Sequence, residues 1–491
     1  MQTKTASALP DHAPAPFDFE TWAPPPRASG VRFVGSATSH FQSEPLLCDG
    51  EGDPKVFSDW EYELVRKIRG GTSGIPQATT NPLPAFLRLK DRYIARSSEL
   101  SENMFRLSFE FARLCPKEGE FNHALMDEYI RTLLIARSFG IEPLVTLYHF
   151  TMPKSLILTD AQGDIAAGAW EHDDVIQRFR FYVDCVVCAL ADHNRVRELA
   201  RQLSFPDELL ESLVASGIVS HFLTINEPSI VLLNSYLGGI FPPYKRLCVQ
   251  KTKCVLDKLI AAHDLATQAI KDVLGRGIPP QVGIAHNWQL FEGIGAQGPA
   301  RAQQYCMKRF ERNGLYTDFI GLHYYCRYTV PMLSSTRQKR DFSDHPMFGD
   351  IYPEGILDAL QSIHRSYPNK RIFVSEFGFS DAADGRRPYW ILKTSWHILQ
   401  AIKEGIPVDA VLIWTLVNNF EWNYGMSQKF GLFEEGELRT PLFTRSDKIR
   451  SWQAWTTAAR ALRSPVVETF REAHALYKTA YSQYKHAGGQ S

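Results

Sequence analysis

Short apolar runs recur along this chain, separated by longer segments whose apolar positions repeat at helical spacing. The runs are Val31–Gly35, Met104–Phe109, Glu142–Leu147, His221–Ile225, Gln281–Ala285, Phe319–Leu322, Arg371–Ser375 and Ala410–Trp414. Each has the length of a strand, and strands alternating with helices signal parallel pairing through crossover connections. Eight such units predict an α/β protein, a single (β/α)8 TIM barrel with loop insertions. In that architecture the chemistry collects where strands end and the following loops begin.

The pattern also divides the chain. Residues 1–30 are rich in Pro and Ala and read as an extended arm, residues 31–463 as the barrel, and residues 464–491 as a C-terminal helical extension. Two further segments exceed a minimal barrel: GGTSGIPQATTNPLP, a Gly/Pro-rich turn-forming stretch, and the charged helical stretch within 191–216. In the extension, Val466, Phe470, Ala473 and Tyr477 recur at helical spacing, which predicts a face packed on the barrel.

Composition narrows the partners. Lys plus Arg and Asp plus Glu both number 54, so no basic field attracts nucleic acid or an anionic membrane. No apolar stretch approaches the roughly 20 residues of a membrane span. The first residues lack the apolar core of a secretory leader, and the eight cysteines are scattered, so a cytoplasmic location is expected. Cys185 and Cys188 form a C-x-x-C inside an apolar helical stretch, where buried packing is expected rather than metal or redox chemistry. No metal motif, nucleotide loop or cofactor signature is present, and GGTSG lacks the Gly-Lys-Ser/Thr of a phosphate loop.

Reading the strand ends in order yields a polar set: Gln42, Arg106, His149, Asn226, Glu227, Tyr325, Glu376, Trp414, Glu421 and Trp422. At one barrel mouth these would supply two carboxylates, neutral hydrogen-bonding groups and indole planes. That inventory suits a sugar, whose hydroxyls need hydrogen bonds and whose ring face packs on an aromatic plane.

The segments FVGSATSHFQSE, FRLSFEFARLCP, PLVTLYHFTMP, TINEP, DFIGLHYY, VSEFG and WTLVNNFEWNYGMSQKFGLF occur in that order. Together they resemble glycoside hydrolase family 1, the family of β-glucosidases and β-galactosidases, from Phe33 to about Ser446. The resemblance implies a retaining β-glycosidase with Glu227 as general acid and base and Glu376 as nucleophile, their carboxyls about 5–5.5 Å apart. It assigns Gln42 and Glu421 to the outer hydroxyls, His149 and Trp422 to the middle ones, and Asn226 to the 2-hydroxyl. Trp414 would be the stacking floor and Phe150 a further substrate contact, while Arg106 and Tyr325 would hold Glu376. The charge of Glu376 is expected to raise the pKa of Glu227.

Four positions depart from the family pattern: Phe377 for the usual Asn, Phe150 for a frequent Trp, His323 for the usual Asn, and Asn418 for the usual Asp. Glu44 and Glu110, also near strand ends, are not expected to act in catalysis, and Asp318 reads as structural. Glu421 argues against 6-phosphosugars, since a carboxylate there would repel a phosphate dianion. Unphosphorylated β-glucosides, β-galactosides or related oligosaccharides are therefore the expected partners. A transglycosidase using the same intermediate is an alternative reading, and a catalytically inactive sugar-binding barrel another. Oligomeric state has no signature in the sequence.

Overall fold

All eight expected runs are parallel strands in a computed structural model that describes residues 30–44, 46–48, 54–70, 85–275, 278–293, 295–311, 317–329, 351–442, 449–465 and 467–486. They are β1 Phe33–Ala37, β2 Met104–Ser108, β3 Glu142–Tyr148, β4 His221–Asn226, β5 Gln281–Asn287, β6 Phe319–Tyr324, β7 Arg371–Phe377 and β8 Val408–Trp414. Each pairs with its sequence neighbours, and β1 pairs with β8 to close the barrel. The arm at residues 1–30 lies, but for Gly30, outside the described residues, as does the turn-forming stretch from 71 to 84.

Closure depends on which side chains point inward. Strand alternation sends Phe33, Ala37, Met104, Leu144, Leu223, Phe319, Phe373 and Leu412 to the interior, which they fill as one apolar cluster. Phe319 and Phe373 stack there with centroids 4.0 Å apart, a pair worth about 0.5–1.5 kcal/mol beyond the area it buries. Gly35 is required by closeness: a Cβ on it would lie 1.7 Å from the Met104 carbonyl oxygen across the β1–β2 pair.

Two of the breaks in register lie beside the glutamates, in β4 just before Glu227 and in β7 at Glu376. Along β7, Leu322 pairs with Val374 and the next residue, His323, pairs with Glu376, so Ser375 is an extra residue. Along β4, Leu223 pairs with Gly283 and Asn226 with Ala285, again one residue more on the β4 side. A bulge of this kind re-aims the side chains that follow it. On β7 it turns Glu376 inward while Val374 and Phe377 both face the outer helical layer.

The helices Arg387–Lys403 and Ser451–Arg463 pack together outside β7 and β8, and the C-terminal helix Val467–His486 lies across them. Phe470 is buried and Tyr477 lies 5.6 Å from the Tyr389 ring, so the expected packed face is present at these positions. Val466 lies outside the described residues. The 191–216 stretch forms two helices, His193–Gln202 and Asp207–Ser216, which lead into the start of β4 and therefore stand away from the mouth. Arg195 anchors the first of them to Asp127.

The expectation for the C-x-x-C pair is corrected. In helix Val175–Ala191 the buried stripe runs through Phe179, Tyr182, Val183, Val186, Val187 and Leu190, and Cys185 and Cys188 fall beside it. Cys185 is half-buried, Cys188 is exposed, and both are free thiols.

Candidate active site

The loop after β1 places Gln42 on the short helix His40–Ser43, and β2 delivers Arg106 from inside the barrel. His149 and Phe150 follow β3, Asn226 ends β4 and Glu227 follows it. Tyr325 follows β6, Glu376 lies in β7, Trp414 ends β8, and Glu421 and Trp422 lie on the loop beyond. Three of these residues occupy the left-handed backbone region: Phe150 at φ 69°, Glu227 at φ 43° and Trp422 at φ 48°. Such a conformation costs about 1–3 kcal/mol at a residue with a side chain, and its concentration here marks a site whose surroundings enforce it.

The expected residues meet. Arg106 lies at the centre: Nη1 donates to Oε1 of Glu376 in a buried ion pair, Nη2 donates to Oδ1 of Asn226 at 2.6 Å, and Nε donates to Thr146 Oγ1 at 2.9 Å. The Tyr325 hydroxyl donates to Oε2 of Glu376 at 2.6 Å. Gln42 Nε2 donates to the Phe420 carbonyl at 2.8 Å and to Oε2 of Glu421 at 3.2 Å. His149 lies nearly parallel to both indoles, 5.9 Å from Trp414 and 6.0 Å from Trp422. Phe150 packs edge-on to Trp422 at 5.2 Å, within an aromatic wall that includes Trp60 and Phe241.

Two polar atoms in this set have no hydrogen-bond partner: Gln42 Oε1 and His149 Nδ1, both buried. An unsatisfied buried polar group costs about 1–3 kcal/mol, and folded proteins keep few of them. Acceptors and donors held this way suit a ligand rich in hydroxyls.

Glu227 is surrounded differently. Asn287 Nδ2 donates to its Oε1 at 2.9 Å, and His323 Nδ1 lies 2.8 Å from the same oxygen. Its pKa is pushed up to about 7 by burial, against the opposing pull of the Asn287 hydrogen bond and the Arg106 charge. The expected cause, the charge of Glu376, is replaced by desolvation of a carboxyl only 7% exposed. Burial, then Glu376, raises Glu421 to about 8. Its repulsion of a phosphate dianion, expected from a carboxylate at neutral pH, therefore develops only as pH rises through that value.

The departures find physical places. Phe377 faces away from the mouth and stacks on Trp390 at 5.5 Å, so it does not enter the setting of Glu376. Asn418 accepts from the Gly431 amide at 2.7 Å and donates to Glu434 at 2.8 Å, tying two loop segments together. Among the decoys, Glu44 pairs with Arg88 at 2.8 Å and Glu110 accepts from Thr151. Asp318 accepts from the Val282 amide at 2.8 Å and pairs with Lys271 at 3.0 Å, a structural role at the start of β6.

Asn287 and the part played by His323 were not among the expected site residues. Asn287 ends β5, so the same strand-end reasoning applied to GIAHN finds it. Glu227, His323 and Glu376 each present one ligand atom within 4.8 Å of the others, a spacing that could hold a metal ion. The donors do not fit one. Arg106 Nη1 contacts both Glu376 and His323 Nε2, which puts a guanidinium beside the would-be cation.

The model of glycosyl hydrolase family 1 matches residues 35–199 and 316–436. A β-galactosidase of Sulfolobus acidocaldarius is 26% identical across 85% of this chain and 92% of its own length. The β-glycosidase of Thermosphaera aggregans superimposes with a TM-score of 0.69 at 20% identity, covering 91% of this chain and 98% of its own. A β-glucosidase from Thermotoga maritima in complex with deoxynojirimycin superimposes with a TM-score of 0.65 at 20% identity, covering 89% and 98%. With its matched segments spanning more than half of the sequence, its barrel closed and the two glutamates facing each other at the mouth, this chain belongs to glycosyl hydrolase family 1.

Proposed function

We propose that this protein is a retaining β-glycosidase acting on unphosphorylated β-glucosides, β-galactosides or related β-glycosides, with Glu376 as nucleophile and Glu227 as acid and base. One observation carries the reading: an oxygen of Glu227 and an oxygen of Glu376 lie within 4.8 Å of each other. Retaining enzymes hold the pair about 5–5.5 Å apart, whereas inverting ones leave about 6.5–9.5 Å for a water. Sugar-like binding by the deoxynojirimycin complex of a structural neighbour supports the ligand class.

The environments separate the two carboxyls by role. Glu376 has a guanidinium on one oxygen and a phenol on the other, an arrangement that fixes the orientation of both oxygens. Glu227, desolvated, keeps its proton to about pH 7. In the first step a Glu376 oxygen bonds to the anomeric carbon, the bond to the leaving oxygen breaks, and Glu227 gives that oxygen its proton. In the second step Glu227 takes a proton from water, whose oxygen bonds to the anomeric carbon as the bond to Glu376 breaks.

Around the pair, Asn226, with Oδ1 held by Arg106, has its amide nitrogen for the 2-hydroxyl. His149, Trp422, Gln42 and Glu421 serve the remaining hydroxyls, Trp414 the sugar face, and Phe150 the wall beside it. The same reading takes residues 31–463 as the catalytic barrel, with 1–30 an arm and 464–491 an extension. No described helix is long and apolar enough to cross a membrane. A cytoplasmic location is part of the proposal, supported by the free thiols of Cys115, Cys185, Cys188, Cys248, Cys254, Cys306 and Cys326.

A panel of nitrophenyl β-glycosides tests the function. Hydrolysis of the gluco or galacto member, with the β anomer as the first product seen by NMR, is expected; an α anomer as first product would overturn the retaining assignment.

A further inference from the structure

The His323 side chain reaches both glutamates. Its Nδ1 lies 2.8 Å from Oε1 of Glu227 and 3.3 Å from Oε2 of Glu376, and its Nε2 lies 3.2 Å from Nη1 of Arg106. The ring is fully buried. A guanidinium has only donors, so Nε2 facing it must be the bare, accepting nitrogen. In a neutral imidazole the proton then resides on Nδ1, pointed at the carboxyls. Burial above all, with Arg106 acting in the same direction and Glu376 opposing, holds the ring neutral by lowering its pKa to about 3.

This tautomer has a consequence for the neighbouring acid. Oε1 of Glu227 accepts from the Nδ1–H of His323 and from Nδ2 of Asn287, whose own Oδ1 is oriented by Gln289 at 3.1 Å. An oxygen accepting two such donors has no direction left in which to carry a proton against them. The acidic proton is therefore confined to the other oxygen.

We propose that His323 is a positioning residue: as the Nδ1–H tautomer set by Arg106, it saturates Oε1 of Glu227 together with Asn287 and so restricts the transferable proton to Oε2. The inference rests on the acid–base role given to Glu227 above. His323 keeps its own proton throughout both steps; Oε2 alone loses one to the leaving oxygen and regains one from water. The N–H, shared with Glu376 in the resting site, is directed wholly at Glu227 once Glu376 has become an ester. It then stabilises the carboxylate that must act as base.

An amide can do part of this, since Asn also carries a donor and an acceptor, but on one end rather than on opposite edges of a ring. The charged and titratable groups facing Glu227 are Arg106 from β2, His323 and Tyr325 from β6 and the loop after it, Glu376 from β7, and Glu421 and Tyr328 farther out. Of these, His323 and Arg106 are the ones whose removal leaves the carboxylate form of Glu227 less supported.

The test compares wild type, His323→Leu and His323→Asn in kcat/KM against pH, using a phenyl β-glycoside whose leaving group needs a proton. A lost hydrogen bond to a charged group moves the alkaline limb of His323→Leu upward by about one pH unit, because the ionised form is the one destabilised. His323→Asn returns the limb toward its wild-type position. A limb that stays in place in His323→Leu, with rate lost equally at every pH, overturns the proposal.

Histidine 15N NMR of the wild-type protein, assigned by the signal missing from His323→Asn, reads the tautomer without relying on the Leu variant folding. A protonated Nδ1 is expected and a protonated Nε2 overturns the inference. Failure of the functional reading is a separate result: a wild type that cleaves no aryl β-glycoside.

Discussion

The hydroxyl of Tyr325 donates to Oε2 of Glu376 at 2.6 Å, while Arg106 holds the other oxygen of the same carboxylate. Both oxygens are thus fixed by the protein itself, which sets the direction of the lone pair that the proposed nucleophile would use. A hydrogen bond to a charged group contributes about 1.5–3 kcal/mol, so Tyr325→Phe is expected to lower kcat/KM by about 10- to 100-fold. Steady-state kinetics beside a thermal melt check this; unchanged kinetics in a folded variant would remove Tyr325 from the orienting role.

The pH dependence follows from Glu227. Burial raises its pKa to about 7, and the proposed acid must be protonated in the free enzyme. Activity toward substrates with poor leaving groups therefore falls as pH rises through about 7. Glu227→Gln should abolish that limb and cost alkyl glycosides far more than dinitrophenyl ones, whose departure needs no proton. Equal losses on the two substrates would argue against the acid role.

Phe377 supplies a test of which departures matter. Its ring is fully buried against Trp390 and Trp455 in the helical layer, away from the mouth. Phe377→Asn, which restores the residue usual in the family, removes that packing and buries an amide. The expected cost is about 3–5 kcal/mol of stability, read by denaturant unfolding. A variant as stable as wild type would show that this residue does not belong to the core.

Asp59 predicts a pH-dependent stability. Burial raises its pKa to about 8, although its Oδ1 accepts from the Trp60 and Met152 amides at 2.9 and 3.0 Å. An unfolded Asp releases its proton near pH 4, at about 3.9, so the folded state binds the extra proton between there and about pH 8. The contribution is complete below the unfolded value and is lost as pH rises toward 8. Asp59→Asn keeps an acceptor and does not titrate, so its stability relative to wild type should improve between pH 5 and 8, by at most about 1.4 kcal/mol per unit. A difference that is constant with pH would contradict this.

Much of the site was legible because a parallel barrel turns order along the chain into position around a mouth. Gln42, Arg106, His149, Asn226, Glu227, Tyr325, Glu376, Trp414, Glu421 and Trp422 could be picked out as strand-end residues, and they meet. The extra residues in β4 and β7 were not legible. A bulge is a matter of register between strands, and Ser375 looks in sequence like any other strand residue. That register decides why Phe377 is turned outward, so its replacement of the usual Asn looked more consequential than its packing makes it. The cause of the high Glu227 pKa was hidden for a similar reason, since burial depends on residues that are distant in sequence. Cys185 and Cys188 were misplaced because an apolar helix has a buried stripe, and one residue off the stripe is enough to reach solvent.

The most direct measurement is trapping of the glycosyl-enzyme. Incubation with an activated 2-deoxy-2-fluoro β-glycoside, followed by peptide mass analysis, should find one sugar attached to Glu376 in the VSEFG segment. Attachment to Glu227 or to any other residue would contradict the assignment of Glu376 as nucleophile.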